Sequence, residues 1–156
     1  MSAQENARIA RIPYEAYNTR RFDDAAAVVA DDFEMRNMAT GETFRGPDGI
    51  KKALKQWADA FPDSQVEIRA VVADDKGAVV EFMGHGTNTG PLATPAGTLP
   101  ATNRKADLPF CDVVTFRNGK IATTHEYLDM ATMLRQLGFM PEASGTPEAA
   151  AGSFGR

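Results

Sequence analysis

Apolar and polar residues in the first third of the chain recur mainly with the period of a helix. Residues 7–18 and 23–30 have apolar side chains at three- and four-residue spacing, which predicts two helices. A longer stripe over residues 48–61 includes Trp57 and is followed by a proline, which cannot continue a helix. Residues 33–38 alternate instead with the two-residue period of a strand, and residues 42–45 predict its short return.

The rest of the chain alternates mainly with the period of strands. Long strands are predicted over residues 65–73, 78–88, 105–117 and 120–129, and a helical turn or two over residues 130–137. In the first of these strands Val66, Ile68, Ala70 and Val72 are predicted to share one face. Residues 91–104 are rich in Pro, Thr, Ala and Gly and predict a long loop. Helices followed by a meander predict an α+β fold, with the helices packed on one face of a curved antiparallel sheet and a pocket at its open end.

Length, charge and cysteine content narrow the class of protein. The 156 residues are the length of one domain, predicted over residues 1–138, and the composition of residues 139–156 predicts a flexible tail. The net charge is −4 with scattered Lys and Arg, which argues against a nucleic-acid partner. Cys111 is the only cysteine, and no run of eighteen apolar residues predicts a membrane span. We expect a cytoplasmic protein with no metal, no cofactor and no membrane partner.

The pair Asn118-Gly119 predicts a tight hairpin turn that determines which side chains face each other across the last two strands. Counting outward from the turn places Asp112 opposite His125, with Asp129 farther along the same inward, largely apolar face. The count requires that neither strand contains a bulge, since one extra residue would turn Asp112 or His125 outward. Polar groups among apolar residues predict acid–base chemistry next to a carbonyl, with Asp129, His125 and Asp112 as catalytic residues.

These residues also have structural interpretations. Asp129 is a favoured residue for capping the helix predicted to begin at Met130, and Asp112 with His125 can form a buried structural pair. Ligand contacts are predicted from apolar and amide side chains on the inward faces of helices and strands, namely Tyr17, Asn37, Trp57, Phe82, Asn88, Phe110 and Tyr127. Several of these are equally typical of core or turn positions. His85 is predicted to point outward and to form a surface pair with Glu67.

Several segments together resemble the SnoaL-like polyketide cyclases of the nuclear-transport-factor-2-like superfamily. The resemblance runs from about Ala7 to Gly138 and rests on the segments Gly86-Thr87-Asn88-Thr89-Gly90, Ala101-Thr102-Asn103-Arg104, Asn118-Gly119-Lys120-Ile121, Tyr127-Leu128-Asp129 and Gln136-Leu137-Gly138. It implies an α+β cone that dimerises through the outer face of its sheet. It also implies ring closure by an intramolecular aldol reaction without metal or cofactor, with Asp129 as the acid and base.

Three function classes follow from these observations. The leading hypothesis is a cofactor-independent enzyme acting on a carbonyl-bearing polycyclic or aromatic small molecule. The second is a non-catalytic ligand-binding or dimerisation module with the same fold. The third is a hydroxylase, dehydratase, isomerase or hydrolase on the same scaffold. The resemblance implies that an epoxide-opening site would need an arginine between two carboxylates, and no inward arginine is predicted.

Overall fold

The computed structural model of the protein describes residues 1–141, so the tail predicted from residue 139 lies largely outside the described residues. The elements follow in the order α1 (Ala3–Thr19), α2 (Phe22–Ala26), β1 (Val29–Asn37), β2 (Thr43–Arg45), α3 (Gly46–Ala60), β3 (Gln65–Ala73), β4 (Gly77–Thr87), β5 (Leu92–Thr94), β6 (Gly97–Leu99), β7 (Lys105–Arg117), β8 (Lys120–Leu128) and α4 (Met130–Gln136). None of the described helices has the length and apolar character needed to cross a membrane.

The predicted α+β fold is confirmed. Helices pack on one face of a six-stranded sheet with the order β2-β1-β8-β7-β4-β3. All neighbouring strands in this sheet run antiparallel except β1 and β8, which are parallel. Helix α1 begins at the Ser2 cap and ends at Arg20 in the left-handed conformation, and it continues through Pro13. Helix α3 begins after Arg45, with Pro47 in its first turn, where a missing N–H costs no hydrogen bond.

The predicted long loop over residues 91–104 is wrong in part, because it contains the β5–β6 hairpin. Leu92, Ala93 and Thr94 pair with Leu99, Thr98 and Gly97. The hydroxyl of Thr94 donates a 2.6 Å hydrogen bond to the carbonyl of Gly97, whose φ of 132° favours glycine. The hairpin packs on α3, and Leu92 is buried there.

A bulge at Arg69 in β3 changes which residues of that strand face the helices. The pairing of β3 with β4 shifts between Ile68 and Ala70. Beyond this point Val71 packs against the core, and the side chain of Val72 is 70% exposed. The predicted common face of Val66, Ile68, Ala70 and Val72 is therefore wrong beyond Ile68, since one extra residue reverses the alternation.

The hairpin of β7 and β8 turns at Asn118 and Gly119 as predicted, with φ values of 52° and 78°. Arg117 pairs with Lys120 and Phe116 with Ile121, but Thr115 then pairs with Thr123, which leaves Ala122 as an extra residue. Beyond this bulge Asp112 lies opposite Glu126, and Val113 lies opposite His125. The predicted pairing of Asp112 with His125 is therefore wrong by one position.

Candidate active site

An apolar cavity of about 90 Å³ lies between α1, α3 and the inner face of the sheet; we call it the main cavity. Aromatic rings form much of its wall. Phe82 and Phe110 stack with ring centres 4.9 Å apart, and Trp57 meets Phe110 edge-on at 5.5 Å. The volume is several times that needed for one water molecule. The wall can therefore contact a small aromatic or alicyclic molecule on several sides.

Two carboxyl groups line this apolar space. Asp112 on β7 and Glu126 on β8 are each 4% exposed, and both belong to the wall of the main cavity. Because they are directly opposed in the antiparallel ladder, their Cβ atoms are about 5 Å apart. A pair of buried acids at this distance cannot ionise independently, since the charge on one disfavours the charge on the other.

Helix α1 supplies a hydrogen bond to this pair. The hydroxyl of Tyr14 donates to Oδ2 of Asp112 at 2.6 Å. Oδ1 of Asp112 and Oε1 of Glu126 are buried and have no hydrogen-bond partner among the described residues. Buried polar atoms are rarely left without a partner, so these two oxygens are candidates for contacting a bound molecule or water.

Burial changes the proton affinity of all three groups. It raises the pKa of Asp112 to about 7, although the hydrogen bond from Tyr14 acts in the opposite direction. Burial and, to a smaller extent, the charge of Asp112 raise the pKa of Glu126 well above its usual range. Hydrogen bonding by the Trp57 side chain acts in the opposite direction. Burial and Asp112 also raise the pKa of Tyr14 well above its usual range. These shifts favour the neutral phenol of Tyr14 and the protonated form of Glu126, while Asp112 is partly ionised at neutral pH.

The bulge places two of the predicted site residues on the outer face of the sheet. His125 is exposed and Tyr127 is 46% exposed, and neither lines the main cavity. Each residue of β8 beyond Ala122 points to the face opposite to the predicted one, because side chains alternate along a strand. The predicted inward positions of His125 and Tyr127 are therefore wrong.

Asp129 also lies outside the main cavity. Its side chain is exposed and caps α4, accepting hydrogen bonds from the backbone N–H of Thr132 at 2.9 Å and from the Thr132 hydroxyl at 2.6 Å. These hydrogen bonds lower the pKa of Asp129, which is the opposite of the change at Asp112. The predicted inward position of Asp129 is wrong, and the capping interpretation describes its contacts.

The other predicted ligand residues divide into two groups. Four of them line the main cavity, namely Tyr17, Trp57, Phe82 and Phe110. Asn88 is 1% exposed and instead joins loops, donating to the carbonyls of Ala60 and Gly90. Asn37 accepts the N–H groups of Ala39 and Thr40 in a turn, outside the wall of the main cavity. Asn88 and Asn37 therefore use their amide groups in hydrogen bonds that order loops and turns.

His85 lies at the rim and forms the predicted surface pair with Glu67. Its Nε2 is 3.2 Å from Oε2 of Glu67, and its Nδ1 is 2.6 Å from Oδ1 of Asp107. The hydrogen bond to Asp107 raises the pKa of His85 more than its partial burial lowers it. Within residues 1–141, no group of three or more His, Cys, Asp or Glu side chains is placed to hold a metal ion.

Sequence reasoning missed Tyr14 and Glu126. Tyr14 lies one helical turn from Ala10 and from Tyr17, and all three are buried, so the helical period contains a signal for it. The hairpin count contained no bulge and placed His125 inward, so by alternation it put the adjacent Glu126 on the outward face. A glutamate in a strand gives no indication by itself of the side of the sheet that it occupies.

Comparisons with known proteins agree with this fold. Among curated proteins, none matches the chain. A proposed SnoaL-like polyketide cyclase from Jannaschia sp. CCS1 superposes with a TM-score of 0.77 at 14% identity, covering 89% of this chain and 95% of that one. AclR, a proposed hydroxylase from Streptomyces galilaeus, has a TM-score of 0.77 at 17% identity, and the match covers 97% of this chain and 92% of AclR. An LEH-like epoxide hydrolase from M. tuberculosis has a TM-score of 0.66 at 18% identity, and the match covers 88% of this chain and 92% of the hydrolase.

Identities this low show a shared fold and do not transfer an activity. The evidence for the family comes from a family model, SnoaL-like polyketide cyclase, which matches residues 7–137 and so includes every residue of the main cavity. The chain therefore belongs to the SnoaL-like polyketide cyclase family.

Proposed function

We propose that the protein is a cofactor-independent acid–base enzyme that acts on a small, apolar, carbonyl-bearing molecule by enolisation or intramolecular aldol closure. The single observation that supports this most strongly is the pair of opposed, buried carboxyl groups, Asp112 and Glu126, in an otherwise apolar cavity. Such a pair supplies a base and an acid in one place when their pKa values differ. In this proposal Asp112 and Glu126, which line the cavity, take the acid–base roles predicted for Asp129 and His125.

The proposed reaction begins at a carbon next to a carbonyl. Oδ1 of Asp112 removes a proton from this carbon while the carboxyl group of Glu126 donates its proton to the carbonyl oxygen, giving an enol. In a cyclase the enol carbon then attacks a second carbonyl of the same molecule. A new carbon–carbon bond forms, the new alkoxide takes the proton from Asp112, and the hydroxyl of the enol returns its proton to Glu126 as its carbonyl re-forms. No net proton is gained or lost.

The surroundings favour this division of roles. Burial and the charge of Asp112 both raise the pKa of Glu126, which favours its protonated form as the acid. Asp112 has a pKa of about 7 and accepts a hydrogen bond from Tyr14, so its carboxylate form is present at neutral pH. A base with a pKa near the working pH combines a useful ionised fraction with useful basicity.

Deuterium exchange at the carbon next to a ketone tests the proposal without knowledge of the native substrate. We would incubate the protein in D₂O with 2-tetralone, a small aromatic ketone, and follow loss of the α-proton signal by NMR. We expect acceleration over buffer, and a loss of about a hundredfold or more in Asp112→Asn and Glu126→Gln. Glu81→Gln is the matched control, since Glu81 is exposed on the neighbouring strand β4 and does not line the main cavity. Wild-type exchange rates in Asp112→Asn would refute the assigned base.

An epoxide-opening reaction receives no support from the cavity. The two carboxyl groups are present, but no arginine belongs to its wall within the described residues. A non-catalytic binding module remains the alternative function. It predicts that Asp112→Asn leaves the binding of 2-tetralone unchanged and that the wild-type protein does not accelerate α-proton exchange.

We further propose that the enzyme works in the cytoplasm as a homodimer formed through the outer face of the sheet. A row of exposed apolar side chains crosses this face. Val72 pairs with Val79, Val79 pairs with Val113, and their side chains are 70%, 37% and 38% exposed. On β8, His125 lies opposite Val113, and Tyr127 is 46% exposed two residues farther along the same face. A contiguous exposed apolar patch of this kind is typical of a protein–protein interface.

A further inference from the structure

A second, smaller cavity of about 20 Å³ lies behind Glu126; we call it the rear cavity. Three residues line both cavities, namely Met35, Trp57 and Glu126. These side chains therefore form the partition between the two spaces. The β5–β6 hairpin closes the rear cavity through Leu92, Ala93 and Thr94, so part of the segment predicted as a loop forms its wall.

The rear cavity differs from the main cavity in the polar groups at its wall. These are Asn37, Thr40, Glu42, Gln56 and Thr94. Its volume has room for one water molecule, which needs about 10–15 Å³ and two or more polar partners. Oε1 of Glu126 is a candidate partner, because Glu126 lines both cavities and this oxygen is buried without a hydrogen bond within the described part of the chain.

Glu42 is the acidic residue besides Glu126 in the wall of the rear cavity, and it is partly exposed to solvent. Its side chain is half-buried, and its Oε1 accepts a hydrogen bond of 3.1 Å from Nε2 of Gln56. The carboxylate of Glu42 can therefore accept a proton from a water molecule in the rear cavity and release it to bulk solvent. Most of the wall of the main cavity is apolar, and a bound ligand would displace water from that space.

We propose that Glu126 exchanges its proton with solvent through the rear cavity, by way of a water molecule and Glu42. The carboxyl group of Glu126 gives its proton to the water, and the water passes one of its own protons to the carboxylate of Glu42, which releases it. The reverse sequence reloads Glu126. Apart from Glu126, the charged or titratable groups that line the two cavities are Asp112, Tyr14, Tyr17 and His85 on the main-cavity side and Glu42 on the rear side.

Two buried alanines offer a matched test. Ala53 is 2% exposed and lines only the rear cavity, whereas Ala106 is 3% exposed and lines only the main cavity. Replacing either with valine adds the same two methyl groups. We would follow the infrared carbonyl stretch of the protonated Glu126, assigned by its loss in Glu126→Gln, after transfer from H₂O into D₂O. Thermal unfolding establishes that each variant is folded.

We expect Ala53→Val to slow the exchange of the Glu126 proton at least tenfold and Ala106→Val to leave it close to wild type. Two glutamate-to-glutamine substitutions give a second comparison, in which the size of the side chain is unchanged. Glu42→Gln removes the proton acceptor and should slow exchange. Glu34→Gln removes a carboxylate from the partly exposed β1 position where Glu34 pairs with Arg45, away from both cavities, and should not slow exchange.

Several results would overturn the inference. The route through the rear cavity is rejected if the Glu126 proton exchanges in Ala53→Val as fast as in wild type or as fast as in Ala106→Val. Wild-type exchange in Glu42→Gln rejects the role of Glu42. The exchange of the Glu126 proton is measured without turnover, so it is independent of α-proton exchange at 2-tetralone. Either the rear-cavity route or the proposed catalysis can be rejected while the other is supported. Absence of a protonated Glu126 band at pH 7 would reject both this route and the proposed acid.

Discussion

The phenol of Tyr14 on α1 donates a 2.6 Å hydrogen bond to Asp112 on β7, although the two residues are 98 positions apart in the sequence. Both groups are buried at the main cavity. The hydrogen bond stabilises the carboxylate form of Asp112 in a place where burial disfavours charge. A helix that packs on the sheet therefore adjusts the proton affinity of a residue on the opposite wall.

Tyr14→Phe should raise the pKa of Asp112 above its value of about 7, because the stabilising hydrogen bond to the carboxylate is lost while the burial remains. Titration of the Asp112 carboxyl carbon by ¹³C NMR measures this change. Tyr17→Phe is the control, since Tyr17 is a buried tyrosine of the same helix whose hydroxyl pairs with Ser64. An equal pKa change in both variants would show that the phenol of Tyr14 has no specific effect.

Stability should fall as the pH rises from about 4 to about 7. The folded protein retains the Asp112 proton up to about pH 7, while the unfolded chain loses it near pH 4. The contribution of protonated Asp112 to the free energy of unfolding is therefore fully present below pH 4 and is lost progressively toward pH 7. It amounts to roughly 4 kcal/mol at most. Chemical unfolding of wild type and Asp112→Asn at several pH values measures it as a difference. The variant loses the Asp112 part of the slope and keeps the part from Glu126, whose pKa is also raised.

Asp129 provides a control of opposite sign for that experiment. Its pKa is lowered in the folded state, so its contribution to stability is present above its unfolded pKa and is lost as the pH falls. Asp129→Asn should therefore reduce the loss of stability at acidic pH. A steeper fall of stability between pH 4 and 7 in Asp112→Asn than in wild type would contradict the assignment.

Asp129→Asn should also retain wild-type α-proton exchange at 2-tetralone. Asparagine preserves the cap of α4, and the exposed side chain is remote from the wall of the main cavity. Asp129→Ala should lower the melting temperature through loss of the cap and still retain exchange. A large loss of exchange in Asp129→Asn, with the melting temperature unchanged, would instead support the catalytic role that the family resemblance implied.

Leu54→Ala should allow larger ketones to enter. Leu54 is half-buried and lines the main cavity, whose volume of about 90 Å³ is small for a polycyclic molecule. We expect binding of a three-ring ketone to improve relative to 2-tetralone, at a cost of about 1–3 kcal/mol in stability. Leu134→Ala is the matched control, because Leu134 is half-buried on α4 and lines neither cavity. Equal selectivity in both variants would argue against the size limit.

Val113→Lys should convert the proposed dimer to a monomer, because it places a charge in the centre of the exposed apolar row. Light scattering after size-exclusion chromatography measures the mass of each species. Thr98→Lys serves as the control, since Thr98 is an exposed strand residue on the small hairpin. A wild-type protein that is monomeric at micromolar concentration would reject the homodimer.

The sequence was sufficient to predict much of the fold. The stripe that includes Trp57 predicted α3 to within two residues at each end, and the alternation in β3 and β7 predicted both strands with their observed bounds. The Asn118-Gly119 pair predicted the turn that begins β8. These signals are local, because they depend on the period of burial and on residues that tolerate a positive φ.

The sequence was less informative about the site. The inward position of Asp112 was predicted correctly, since β7 has no bulged residue and alternates along its length. The positions of His125, Tyr127 and Asp129 were wrong, because Ala122 adds one residue to β8. Alanine has too small a side chain to mark the place where alternation breaks, and Ile121 and Ala122 are both buried.

Local periodicity thus determined α1, α3, the long strands β3 and β7 and the final turn, but it did not reveal the β5–β6 hairpin. Only the tertiary structure decided which carboxyl groups share the main cavity. The parallel strand β1 pairs with β8 with its own shift in register beside the bulge, and α1 brings Tyr14 to Asp112 from the other end of the chain. A single bulged residue reverses every side chain beyond it, and that choice depends on contacts between residues far apart in sequence.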